Sequence, residues 1–71
     1  MENSQYITQY GVTTQTIAIV DAMWDFSEDA HTRGDILQEL GLITKLYQKV
    51  MNRPFDSEEI IATIVVKHVL A

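Results

Sequence analysis

Apolar side chains in this chain recur at the spacing of helices. Over 14–29, TQTIAIVDAMWDFSED, a turn of about 100° per residue gathers Ile19, Val20, Met23, Trp24 and Phe26 on one side. Asp21, Asp25, Glu28 and Asp29 gather on the other. Strand alternation fails at Trp24 and Asp25, so the pattern predicts a helix near 15–29. Trp24 is its expected core anchor because it offers the largest apolar area. A second helix is predicted near 35–52, where Ile36, Leu40, Ile43, Tyr47 and Val50 follow at 4-3-4-3 spacing, the seam of a packed helix.

A third helix is predicted near 57–70. Asp56 stands as N-cap with Glu59 completing a capping box, Phe55 and Ile60 are spaced for a hydrophobic staple, and Pro54 keeps Arg53 out of helical geometry. The β-branched run through Ile60, Ile61, Thr63, Ile64, Val65, Val66 and Val69 makes a strand the competitor; the start signals favour the helix. Its apolar residues occupy nearly the whole circumference, so it should be buried on more than one side. A second copy is the most economical cover, and Ile61, Val65, Val66 and Val69 are the expected oligomer interface. For the preceding helix, Thr32 and Asp35 have the spacing of a start signal. The first segment, NSQYITQYG, suits two turns of helix capped by Asn3 or Ser4 and stopped at Gly11, or a short extended arm. The expected fold is all-α: a single helical domain over 1–71, with an N-terminal arm over 1–13 and a three-helix core over 14–71, oligomeric through the C-terminal helix.

The stretch DILQELGLITKLYQKVMNR, 35–53, admits two backbones. On one straight helix, Gly41 costs up to about 1 kcal/mol and Leu42 lands among polar residues. Bent at Gly41, LQELGLITKLYQKVMN resembles a helix-turn-helix, with Leu37, Gly41, Leu42, Tyr47 and Val50 at its core positions. The resemblance implies a DNA-binding regulator with Lys45, Gln48, Lys49, Asn52 and Arg53 toward the duplex, through phosphate or base contacts. Ile43 and Leu46 depart from the motif, the first where a polar N-cap is usual and the second at an exposed position.

Charge tips the balance toward the straight helix. Ten acidic against five basic residues give a net charge of −5, poor for attraction to a phosphate backbone. The acids come first, with no Lys or Arg before Arg33. Asp21, Asp25, Glu28 and Asp29 therefore form a candidate partner-binding face, whose weaker variant is an acidic inhibitor filling a partner's nucleic-acid-binding groove. A chain of 71 residues buries only about 60% of its unfolded surface, and with no cysteine a disulfide cannot staple it. Oligomerisation is the remaining staple. No apolar run approaches the ~18 residues of a membrane span, and the N-terminus lacks a signal-peptide layout, so a cytoplasmic setting is expected. No triad spacing, Gly-rich phosphate loop or calcium loop is present. These features predict no cofactor, no metal and no enzyme, but a small regulatory or interaction module that self-associates and binds a partner protein through a helical surface.

Overall fold

The computed structural model describes residues 3–71; Met1 and Glu2, the start of the expected arm, lie outside them. Four helices follow in order: α1 (Asn3–Thr8), α2 (Thr14–Met23), α3 (Ala30–Met51) and α4 (Glu58–Val69), with no strand among the described residues. α4 packs on both α2 and α3, and α1 docks on α3. Val20, Ile36, Leu37, Leu40 and Ile61 are fully enclosed at the centre. Tyr6, Val12, Ile17, Phe26, Phe55, Ile64 and Val65 complete the core.

The N-terminal arm is a short helix rather than an extended segment. Tyr6 is buried, and beyond α1 the chain turns at Gly11, whose φ of 78° suits a residue without Cβ. Lys45 reaches over from α3, its Nζ donating to the Gln9 carbonyl at 3.2 Å.

α2 is shorter than its periodicity predicts. Thr13 caps its start, accepting the Thr16 N–H at 3.1 Å, and the helix ends at Met23, with Trp24 extended at φ −153°, ψ 148°. The physical reason lies in the next residues, where one side-chain and one backbone hydrogen bond close a turn instead of continuing the helix. Asp25 accepts the Ser27 N–H at 3.0 Å, and the Asp29 N–H donates to the Phe26 carbonyl at 3.1 Å. This turn drives Phe26 into the core and leaves Trp24 49% exposed. The expected anchor, Trp24, is thus a surface residue, and Phe26 takes its place.

α3 begins five residues before the predicted start. Asp29, not Thr32, is its N-cap, accepting from the Thr32 N–H at 3.1 Å and from the Thr32 hydroxyl at 2.6 Å. The helix then runs to Met51 without interruption at Gly41. A Cβ on Gly41 would sit 2.6 Å from the Tyr10 carbonyl oxygen and 2.8 Å from the Tyr10 Cβ. Gly41 is therefore needed for the close approach of the N-terminal segment rather than for a bend. Of the predicted seam, Ile36 and Leu40 are buried, Ile43 and Tyr47 half-buried, and Val50 is 77% exposed.

Asn52, left-handed at φ 55°, ends α3 by donating its N–H to the Gln48 carbonyl. α4 starts one residue later than the expected box, with Ser57 as N-cap accepting the Ile60 N–H at 3.2 Å. Phe55 is buried edge-on against Tyr47, with ring centroids 5.5 Å apart. The β-branched segment is helical through Val69. Among the described residues, no helix is long and apolar enough to cross a membrane.

Candidate interaction surface

The four acids of the expected partner-binding face do not share one helix face, because three of them lie in the turn after α2. Asp21, on α2, is paired with Arg33, whose Nε and Nη2 donate to its two carboxylate oxygens at 2.8 and 3.0 Å. The same Nη2 donates to the Asn3 side-chain oxygen at 2.9 Å, so one guanidinium ties α1, α2 and α3 together. The Asp21 hydrogen bond raises the Arg33 pKa further above its ordinary value. Asp25 and Asp29 also have local structural work. Hydrogen bonds from the Ser27 backbone and hydroxyl lower the Asp25 pKa, and those from the Thr32 hydroxyl and backbone lower that of Asp29. Both carboxylates are nevertheless exposed, as is Glu28 between them. An acidic turn thus stands where an acidic helix face was expected.

Beside this turn lies an apolar groove of about 300 Å³ lined by Met23, Trp24, Ala62, Val65, Val66, Val69 and Leu70. It exists because α2 stops at Met23: the extended Trp24 lies along α4 instead of entering the core. Leu70, just past the end of α4, is 75% exposed, and Val66 is also exposed. The predicted oligomer-interface residues divide accordingly. Ile61 is buried within the chain's own core, Val65 is buried but also borders the groove, and Val66 and the half-buried Val69 line it more openly. Sequence periodicity placed Trp24 inward and so missed this groove; the signal that could have found it is the Asp25-Phe26-Ser27 turn, which ends the helix early.

Of the five residues expected to face DNA, Lys45, Gln48 and Lys49 share one face of the straight helix and border one groove with Pro54 and Phe55. Lys45 is held against the Gln9 carbonyl, Asn52 forms the helix cap, and the Arg53 guanidinium lies 5.7 Å from the centre of the Tyr47 ring. Gln48 and Lys49 remain exposed on α3. The turn that would make 35–53 a helix-turn-helix is absent, because Gly41 is helical and Leu42 is 63% exposed rather than tucked inward.

One further charged cluster joins helices. Glu39 of α3 accepts from Lys67 Nζ at 3.1 Å and lies 2.8 Å from His68 Nε2, both on α4. The His68 contact, aided by Lys67 and opposed by partial burial, lowers the Glu39 pKa. Among the described residues, no three His, Cys, Asp or Glu side chains are grouped to hold a metal ion. No protein-family model, curated protein or solved structure matches the chain.

Proposed function

We propose that this chain is a small, cytoplasmic, non-enzymatic interaction module that captures a basic amphipathic helix of a partner protein in the groove beside Trp24. The observation that carries it is Trp24, 49% exposed at the mouth of an almost wholly apolar groove and followed by an exposed acidic turn. Aromatic side chains in such pockets dominate binding energy because they remove a large apolar area from water in one step. A helix laid in a groove presents anchors at i, i+3 or i+4, and i+7. Asp25, Glu28 and the net charge of −5 favour an occupant whose rim carries Lys or Arg. The acidic-inhibitor reading is the special case in which that basic surface is the partner's nucleic-acid-binding groove.

Trp24 is the only tryptophan, so its emission reports occupancy directly. Titration with a synthetic helix bearing Leu anchors and a Lys-rich rim should give a saturable blue shift. A peptide with the same anchors and a Glu-rich rim should bind at least about tenfold more weakly. Val66→Asp, an exposed change that keeps Trp24, should abolish the shift. Equal binding of both peptides, or no shift with either, would overturn the proposal. Salt-sensitive binding of duplex DNA, lost in Lys45→Ala/Lys49→Ala, would replace it with the DNA-regulator reading.

A further inference from the structure

α3 carries two seams. The inward one starts at Ile36 and Leu40 and faces the core. The outward one reads Asp35, Glu39, Leu42, Leu46, Lys49, again at 4-3-4-3 spacing. That spacing keeps five side chains on one stripe about 21 Å long at the helical rise of 1.5 Å per residue. Leu42 and Leu46 at its centre are 63% and 64% exposed. The stripe is acidic at its N-terminal end and basic at its C-terminal end, and so has opposite charge on either side of its midpoint.

We infer that α3 is a self-association surface on which two copies of this chain pair antiparallel about a two-fold axis midway between Leu42 and Leu46. A two-fold axis there sets Leu42 of one copy against Leu46 of the other, and Glu39 against Lys49, each twice. Asp35, one turn further out, faces the same basic end. Lys49 has no ion-pair partner in its own chain among the described residues. Glu39, although engaged with Lys67 and His68, keeps 29% of its side chain open. A parallel pair would instead align acid with acid and lysine with lysine, a repulsive arrangement. Leu46 also borders a shallow apolar groove with Tyr47, Val50 and Met51, which widens the contact on the same flank of each copy. One helix pair lies at the small end of specific interfaces, so the dimer is dissociable. The seam shares no residue with the Trp24 groove.

Sedimentation of the full chain from about 1 μM to about 1 mM, a span that brackets weak association, should show a monomer–dimer equilibrium. Leu46→Glu, an exposed substitution with an unchanged melt, should leave a monomer throughout. Lys49→Glu should weaken the dimer at least tenfold. Orientation is read by cysteine pairing in this cysteine-free chain: a mixture of L42C and L46C should oxidise to the mixed disulfide faster than to either homodisulfide. A wild-type monomer at every concentration, a dimer undiminished by Leu46→Glu, or faster homodisulfides would overturn the inference. Loss of peptide capture at Trp24 with dimerisation intact would count against the proposed function alone.

Discussion

The two halves of α3 are built from the same helix and treated differently by the fold. The N-terminal half, through Gly41, has its large apolar residues enclosed: Ile36, Leu37 and Leu40 are inaccessible, and Gly41 lies against Tyr10 of the N-terminal segment. The C-terminal half leaves Leu42, Leu46, Val50 and Met51 exposed. What differs is cover, not helical propensity. α1 and its following turn reach α3 as far as Lys45, and only the absence of a side chain at Gly41 lets that backbone come close. Apolar periodicity marks where a helix can bury surface; a neighbour at the right distance decides whether it does.

The sharpest way to break the contrast is to truncate one leucine in each half. Leu40→Ala removes a fully enclosed side chain and should cost about 2–5 kcal/mol of unfolding free energy. Leu46→Ala should change monomer stability by less than about 0.5 kcal/mol. Urea melts at a concentration low enough to keep the chain monomeric compare the two. Next comes Gly41→Ala, which in an ordinary helix would stabilise. Here the added Cβ meets a backbone carbonyl, so the expected outcome is a loss of about 1–3 kcal/mol, with exchange of the Tyr10 and Gly41 amides accelerated.

A smaller effect separates the cap of α4 from its expected neighbour, beside the uncovered half. Ser57→Ala should cost about 1 kcal/mol, and Asp56→Ala less than about 0.5 kcal/mol, measured by thermal melts. The smallest effect lies at the junction of the halves. Glu39 has a lowered pKa in the fold, so its contribution is complete above the unfolded carboxylate range and is lost as pH falls through the folded value. Glu39→Gln should therefore flatten the acid limb of a melting-temperature profile, leaving less stability to lose below about pH 4.5. An identical acid limb would show that the bridge to Lys67 and His68 contributes nothing to stability.

Much of this architecture was legible in the residues. The all-α character, the helical choice for the β-branched C-terminal segment, and the start and end of α4 to within about one residue follow from periodicity and stop signals. The shorter α2 was hidden because amphipathic spacing continues through Trp24 and Phe26 while local hydrogen bonds at Asp25 and Asp29 end the helix. The Thr32 signal was displaced for a related reason: its hydroxyl serves Asp29, which caps three residues earlier. The Asp21–Arg33 pair spans twelve residues and two helices, and nothing in local spacing announces it. Leu42 was legible as an anomaly on a polar face; only the straight helix turns it from misfit into the centre of a second seam.

α3 passes straight through Gly41 and so delivers Leu42 and Leu46 to the surface. Nuclear Overhauser contacts test it most directly. Contacts from the Gly41 Hα protons to the Tyr10 Hβ protons are expected, with helical sequential amide contacts from 39 to 44. No contact is expected from the Leu42 methyls to Leu37 or Ile61 in the monomer. A left-handed Gly41, with Leu42 methyls packed on Leu37 or Ile61, would contradict it and restore the bent, DNA-reading geometry.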